Sequence, residues 1–442
     1  MIKVIGAGLA GCEAAWRLAN DGFDVELYEM KPQAYSPAHR YDGFAELVCS
    51  NSLKSSLLAS AGGLLKEEMR LLGSLTLRCA DECAVPAGGA LAVDRKAFSD
   101  TVTKAILSHP RIRVVRGEVT AIPDGNVVIA TGPLTSSSLA EEIRRLCGGL
   151  LSFYDAAAPI VATESVNTGI AFAASRYEKG DADYLNCPMN REEYEAFHES
   201  LIHAETAPLH DFERAEMRVY EGCMPVEVLA KRGADSIRFG PLKPVGLRDP
   251  RTGHRPWAVV QLRKENATGT MVNLVGFQTN LRFGEQERVF RMIPGLANAE
   301  FIRFGVMHRN TFLDSPRLLN EQFRWKEQER CLYFAGQITG VEGYMESAAS
   351  GILAGLHLAR ELRGELPLTF PDTTMLHALS AHVSDTSIKD FQPMGASMGL
   401  LPPLPERVRG KRERYEQIAL RSLTALREGL QQNGVTGSEN HS

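Results

Sequence analysis

No stretch of this chain carries the run of about 20 apolar residues that a membrane-spanning helix needs, so a spanning protein is not expected. A secretion signal is missing as well. The opening MIKVIGAGLAG passes from a short apolar run straight into a glycine-rich turn, with no cleavage site. Cysteine is present eight times but without a pattern. Positions 12, 49, 79, 83, 147, 187, 223 and 331 are irregularly spaced, which argues against a disulfide framework. The lone C-x3-C of Cys79 and Cys83 has no second pair to complete a zinc site. A cytoplasmic protein with reduced thiols and no metal is the expectation. Strong charge imbalance is absent too, since a net charge of −5 neither requires nor excludes a nucleic acid. Internal repeats and low-complexity tracts are also lacking.

What is present is a chain of 442 residues, 44% hydrophobic and 23% charged, long enough for two or three cores. Ile2 to Ile5 reads as a strand, Gly6-Ala7-Gly8-Leu9-Ala10-Gly11 as a turn, and Cys12 to Asn20 as a helix. Phe23 to Tyr28 is a second strand closing on Glu29. That context turns a weak G-x-G-x-x-G into a dinucleotide fingerprint. Gly6 permits the tight turn, Gly8 lets the backbone approach a pyrophosphate, and Gly11 lets helix and strand pack closely. The diphosphate belongs on the helix N-terminus, where N–H groups and the dipole favour anions. Glu29 is placed to bond a ribose hydroxyl.

Further on, Val127 to Pro133 is a buried strand ending in a small-residue turn with Thr131 and Gly132. Cys331 to Gln337 is a second such strand, running through Gly336 to Val341, Glu342, Gly343 and Tyr344 at the head of a long helix. In two-domain flavoproteins a late strand and helix of this kind return to the first nucleotide unit and complete the flavin site. No second fingerprint appears, so one dinucleotide is bound permanently and a reducing cofactor binds by other means. The expected fold is α/β, a Rossmann-type, glutathione-reductase-like FAD-binding domain with an inserted α+β domain. The boundaries are 1–155 and 266–360 for the FAD-binding domain and 156–265 for the insertion, where Glu192 to His203 looks helical. A C-terminal helical segment spans 361–432, and 433–442 is a disordered tail.

The stretch FAELVCSNSLKS (44–55) raises a separate question. Ser50, Asn51 and Ser52 are good N-caps for a helix beginning near Leu53. A thiol at Cys49 would then feel helix N–H groups, with Lys54 close by, and both lower a thiol pKa. Otherwise Cys49 only fills space as a small hydrophobe, the default for Cys12, Cys147 and Cys331. Cys79, Cys83 and Cys187 read as structural. Basic residues cluster at Arg111, Arg113 and Arg116, at Arg248, Arg251 and Arg255, and at Arg407, Arg409, Lys411, Arg412 and Arg414. Each cluster alone reads as a solvated face, and together they fit a phosphate-rich partner.

Long independent segments resemble one family along nearly the whole chain, the folate- and flavin-dependent tRNA uracil-5-methyltransferases. They include GAGLAGCEAAW (6–16), YEMKP (28–32), CSNSLKS (49–55), VPAGGALAVDR (85–95), CMPVE (223–227), AVVQLR (258–263), GVMHRNT (305–311) and FAGQITGVEGYMESAASG (334–351). The larger flavoproteins that install an aminomethyl group on tRNA wobble uridines are related, but they carry extra C-terminal helical domains not expected here. One departure is Gly395-Ala396-Ser397-Met398-Gly399 where the family usually has an Asn-rich stretch.

The resemblance implies FAD as carrier and reductant, NADPH or NADH as electron source, and 5,10-methylenetetrahydrofolate as carbon donor. The substrate it implies is a T-loop uridine of tRNA. The same chemistry on a ribosomal RNA, or a flavin-dependent NAD(P)H oxidoreductase without RNA methylation, are the alternatives. A methylene group needs two further electrons to become methyl, which suits a flavin. Uracil C5 becomes nucleophilic once a thiolate adds to C6, and a base must then remove the C5 proton. Cys49 and Cys223 match the family's functional pair, with Cys223 assigned to attack C6 and Cys49 as base or flavin-side thiol; the roles can be exchanged. The implied cofactor contacts are Gly6, Ala7, Gly8, Leu9, Ala10, Gly11, Glu29, Met30, Lys31, Thr131, Gly132, Gly336, Gln337, Val341, Glu342, Gly343 and Tyr344. Tyr344 is a candidate to stack on the base, and His308 and Arg309 to meet phosphate or the folate glutamate. A monomer is expected.

Overall fold

A short apolar strand, a glycine turn and an Ala-rich stretch fold as β1 (Ile2–Ile5), α1 (Leu9–Asn20) and β2 (Val25–Glu29). This computed structural model describes residues 1–149, 151–178, 181–207, 224–327 and 330–435, with only the backbone described at 151–156, 178, 308 and 309. The chain continues with β3 (Ser52–Ser55), α2 (Ala61–Leu71), α3 (Leu75–Glu82), β4 (Ala84–Val85) and β5 (Ala90–Val93). Then come α4 (Arg95–Ser108), β6 (Ile112–Arg116), β7 (Asn126–Ile129), α5 (Ser137–Cys147) and β8 (Leu151–Ala156). Next follow β9 (Ile160–Ala162), β10 (Phe172–Ala173), β11 (Tyr184–Met189), α6 (Arg191–Ile202), α7 (Val226–Ala230) and α8 (Ser236–Phe239). The later elements are β12 (Ala258–Lys264), β13 (Met271–Leu274), α9 (Phe283–Phe290), β14 (Phe301–Arg303), β15 (Met307–Phe312) and α10 (Ser315–Leu318). Last are β16 (Leu332–Phe334), α11 (Tyr344–Leu362), α12 (Met375–Ser384) and α13 (Lys411–Gln432).

The first sheet is parallel throughout, in the order β16-β7-β1-β2-β6. Its inner strands β1 and β7 are mostly apolar and buried, as strands of a parallel sheet with both faces covered are, whereas the edge strand β6 carries Arg113 and Arg116. Ile2 stands between Val25 on one side and Asn126 on the other. From β1 the chain winds outward to β2 and β6, then crosses back to β7 and β16. The order therefore reverses between β1 and β7, and open α/β sheets bind ligands at the carboxyl ends of strands at such a point. Helix α11 is apolar almost all round and is accordingly buried along most of its length. It lies so close to α1 that a Cβ on Gly351 would run into the Ala10 backbone.

The second sheet is antiparallel, in the order β10-β11-β12-β13-β9-β14. Its core holds Val260, Leu262, Phe197, Phe277 and Phe290. The boundary expected at residue 265 falls inside this sheet, between the paired strands β12 and β13. The polar run Glu265-Asn266-Ala267-Thr268-Gly269 reads like a linker but makes the turn of that hairpin, with the Gly269 N–H donating to the Asn266 carbonyl. β8 and β15 pair as a two-stranded ribbon, and β3, β5 and β4 make a small third sheet.

The C-terminal helices return to the first domain. Glu68 on α2 is fully buried and accepts N–H bonds from Met375 and Leu376 at the start of α12, both at 2.8 Å. It also accepts the Ser422 hydroxyl of α13 at 2.6 Å, so one carboxyl ties three helices. Among the described residues no helix is long and apolar enough to cross a membrane.

Candidate active site

A cavity of about 480 Å³ opens at the carboxyl ends of β1, β2 and β7, where the strand order reverses. Gly6 makes the turn with φ +98°, a conformation that strains any residue with a side chain. A Cβ on Gly11 would run into the Gly6 carbonyl oxygen, so the helix can start this close to the strand only with glycine there. Gly8 has nothing within 4 Å of where a Cβ would stand. Helix α1 has neither a capping side chain nor an acidic residue in its first turn, leaving its amides to an anion.

Glu29 is buried and accepts the Ala7 N–H at 3.0 Å and the Lys31 N–H at 2.9 Å, one on each oxygen. Each oxygen retains a lone pair for a hydroxyl donor. A helix N-terminus with no capping side chain, an open glycine and a carboxylate at the end of the second strand together fit a dinucleotide. Of the residues expected to bind it, Gly6, Ala7, Gly8, Leu9, Ala10, Glu29, Met30, Lys31, Thr131, Gly132, Gly336, Gln337, Glu342, Gly343 and Tyr344 line this cavity. Gly11 lies beneath the turn instead. Val341 is a correction: it is fully buried and bridged to Met394, in the core rather than at the cavity wall. The Lys31 ammonium is bonded to the carbonyls of Tyr41 (2.9 Å) and Gly43 (2.6 Å), so it braces the following loop.

Cys49 lines the same cavity. The helix expected near Leu53 does not form: Ser52–Ser55 is strand β3 on β5, and Lys54 has φ +65°. The caps are used elsewhere. The Ser50 hydroxyl takes the Ser52 N–H at 3.1 Å and the Ser52 hydroxyl takes the Lys54 N–H at 3.3 Å, bonds local enough to compete with a helix. The buried Asn51 donates its amide to the Val93 carbonyl (3.0 Å) and the Lys264 carbonyl (2.8 Å). The Lys54 ammonium lies 2.7 Å from the buried Glu346 carboxylate.

What surrounds the thiol is Tyr344 and a group of arginines. The Tyr344 hydroxyl oxygen accepts the Cys49 N–H at 2.8 Å and the Ser50 N–H at 3.3 Å, and stands 3.0 Å from the Cys49 Sγ. Burial, then the adjacent Cys49, holds the phenol well above its ordinary value, so it keeps its proton. Both backbone partners are donors, which leaves Sγ to accept that proton among these contacts. On either side of Cys49, Arg95 donates to the carbonyls of Leu47 (2.9 Å) and Val48 (2.8 Å), and Arg263 donates to Asn51 (3.0 Å) and Ser50 (2.8 Å). Arg95 also pairs with Glu265 at 2.6 Å, joining α4 to the end of β12 across 170 positions of sequence. The Cys49 loop is thus a stitch that ties β12 of the second sheet to β5, α4 and α11.

Arg95, Arg263, Glu265 and Arg303 went unassigned in the sequence, where Asn51 reads only as a helix cap. Arg95 and Arg263 end two of the matched segments, VPAGGALAVDR and AVVQLR, and that was their only visible signal. Cys223 lies outside the described residues, as do the side chains of His308 and Arg309. Of the other thiols, burial pushes Cys79, Cys147 and Cys187 up to about 12 and Cys331 to about 11. Buried Cys12 is raised well above its ordinary value by the same cause. None of these five is a thiolate near neutrality.

Four of the eleven residues in the basic clusters pair with a carboxylate: Arg111 with Asp24, Arg113 with Glu26, Arg251 with Asp249 and Arg412 with Glu416. No group of residues suited to hold a metal occurs among the described residues.

Comparison with known proteins bears on the same residues. The family described as glucose inhibited division protein A matches residues 1–366. A protein of Desulfitobacterium hafniense named methylenetetrahydrofolate--tRNA-(uracil-5-)-methyltransferase TrmFO is 59% identical over 429 residues, covering 97% of this chain and 98% of its own. The protein of that name from Halalkalibacterium halodurans is 56% identical over 426 residues, covering 96% and 97%. Among solved structures, Aquifex aeolicus GidA in its form II crystal has a TM-score of 0.69 at 18% identity, covering 98% of this chain and 75% of that one. That likeness establishes the flavoprotein fold.

Proposed function

The chain belongs to the TrmFO methyltransferases within the glucose inhibited division protein A family, and from that premise we propose that it methylates C5 of a T-loop uridine in tRNA. The carbon donor is 5,10-methylenetetrahydrofolate and the electrons come from NADPH or NADH. The observation that carries this reading is that the Cys49 thiol opens on the same cavity as the dinucleotide cradle.

The turn Gly6 to Gly11 and the first amides of α1 would hold the diphosphate of FAD, and Glu29 its ribose. When bound, FAD supplies the two electrons that separate a methylene from a methyl group. The chain's own groups activate the uridine. The base leaves its stack to enter the site, since buried bases cannot be reached. Cys223 forms a bond from sulfur to C6, moving electron density to C5, which takes the carbon. Cys49 then receives the C5 proton, and the sulfur–C6 bond breaks to restore the ring. Tyr344 fixes the Cys49 backbone and sulfur for that transfer, and Arg95 and Arg263 hold the loop from both sides. The protein works as a monomer in the cytoplasm.

The test incubates the FAD-bound protein with unmodified tRNA and unmodified ribosomal RNA, labelled methylenetetrahydrofolate and NADPH. Label is expected in 5-methyluridine of the tRNA. Label in ribosomal RNA alone would move the substrate, and none in either RNA would overturn the reading. Cys49→Ala and Cys223→Ala should each retain FAD and lose the label.

A further inference from the structure

A thiol that is to accept a proton must first lose its own, and the helix N-terminus expected to help Cys49 do so is not there. The charge around it comes from side chains instead. Among the described residues, Tyr344 on α11, Arg95 on α4, Arg263 on β12 and Arg303 on β14 are the charged and titratable groups within electrostatic reach of this thiol, and Glu265, just past β12, lies among the arginines. Lys54, on the thiol's own loop, is bonded to Glu346. Among the described residues three arginines therefore share one carboxylate, and that carboxylate is already committed. Glu265 takes two bonds from Arg95, at 2.6 and 3.2 Å, and a third from the Asn273 amide.

Arg303 is the arginine left over. Its strand pairs with β9 through an irregularity between Phe301 and Arg303, and such bulges re-aim a side chain. Its Nε and Nη2 are buried with no hydrogen-bond partner. Two buried guanidinium nitrogens without partners are costly unless an anion compensates them. Desolvation, then Arg95, pushes its pKa down to about 10, while Glu265, Tyr344 and Cys49 act in the opposite sense. It is still a cation at neutral pH.

We propose that Arg303 is a positioning residue whose unpaired guanidinium, with Arg95 and Arg263 beside it, holds Cys49 as its thiolate. The Cys49 proton leaves to water, the Tyr344 hydroxyl donates to the sulfur, and the site gains the base that removes the uridine C5 proton. This rests on the reading of Cys49 as a reacting thiol, but its test does not require methyl transfer.

The experiment is the pH profile of Cys49 alkylation by iodoacetamide in the FAD-bound protein. Each reaction forms one sulfur–carbon bond and releases iodide, and the tryptic peptide spanning residues 41–54 reports it with Cys49 as its only cysteine. The wild-type midpoint should lie at least a unit below the ~8.5 of an ordinary thiol. Arg303→Met should raise the midpoint by about one unit and slow alkylation at neutral pH about tenfold. Arg303→Lys should recover most of that loss, and Glu265→Gln should shift the midpoint down. A wild-type midpoint at or above the ordinary value would overturn the proposal, as would superimposable profiles for wild type and Arg303→Met. If Arg303→Met does not retain FAD, the opposed shifts of Arg303→Lys and Glu265→Gln decide it, and shifts of the same sign refute it. RNA left unmethylated by a protein with the expected profile would count against the transferase reading and not against Arg303.

Discussion

Replacing Tyr344 by Phe removes a single oxygen, and the consequence can be worked through. The hydroxyl accepts the Cys49 N–H at 2.8 Å and the Ser50 N–H at 3.3 Å, and touches Sγ at 3.0 Å. Without it both amides lose their partner in a half-buried site. A neutral hydrogen bond contributes about 1 kcal/mol net, and a stranded buried donor costs about 1–3 kcal/mol. The longer Ser50 contact belongs at the weak end, so a total of about 2 kcal/mol is reasonable. Arg95 and Arg263 still hold the loop on both sides, so the penalty falls on where the thiol points and not on the fold. If that energy is needed only to place Cys49, single-turnover methyl transfer slows by about 30-fold. The KM for RNA should stay within about twofold, because nothing that binds RNA has been removed. The assay follows label into 5-methyluridine, with flavin absorbance to confirm bound FAD. A single-turnover rate within about threefold of wild type would refute the positioning role. So would loss of FAD in step with the rate.

Gly11→Ala should abolish FAD retention, because the new Cβ meets the Gly6 carbonyl oxygen and pushes α1 away from the turn; a variant that purifies with full flavin would contradict this. Asn51→Ala should cost about 2–3 kcal/mol, since it leaves the Val93 and Lys264 carbonyls and the Arg263 Nε unpaired; a chemical melt measures it, and a cost under about 0.5 kcal/mol would contradict the stitching role. Glu68 is raised from 4.5 to about 7 by burial, so the fold favours its protonated form. The stabilisation this gives is full below pH 4.5 and is lost as pH rises through about 7, a change of about 3 kcal/mol. Neutral Glu68→Gln escapes that loss, and thermal melts across the window should show the variant gaining on wild type as pH rises; parallel curves would refute it.

The first nucleotide unit was legible because its information is local. Turn glycines, a small-residue helix and a carboxylate at the end of β2 occupy adjacent positions, and each constrains the next. The late strand was legible for the same reason, since the segment through Gly336 to Tyr344 reads as strand, turn and helix alone. The surroundings of Cys49 were not. Ser50-Asn51-Ser52 is as good a helix cap as any by composition, and only the partners Val93 and Lys264, distant in sequence, decide that Asn51 does something else. The boundary near 265 failed similarly, because a polar hairpin turn and a polar linker have the same composition. The arginines that face the thiol come from three separate elements, and no periodicity in one sequence announces that they meet.

Strand β16 and helix α11 also bear on how the molecule is made. The parallel sheet that carries the cradle is finished by a strand ending at Phe334, and the face of α1 at Ala10 and Ala14 is covered by a helix ending at Leu362. A ribosome releasing this chain from its N-terminus exposes the fingerprint first and its last supporting partners hundreds of residues later. Pairings so distant in sequence form slowly, and partly built parallel sheets expose apolar surface. Flavin capture therefore waits until most of the protein has been synthesised, and a truncated chain ending before β16 is left with an open sheet edge beside β7 and no stable hold on its cofactor.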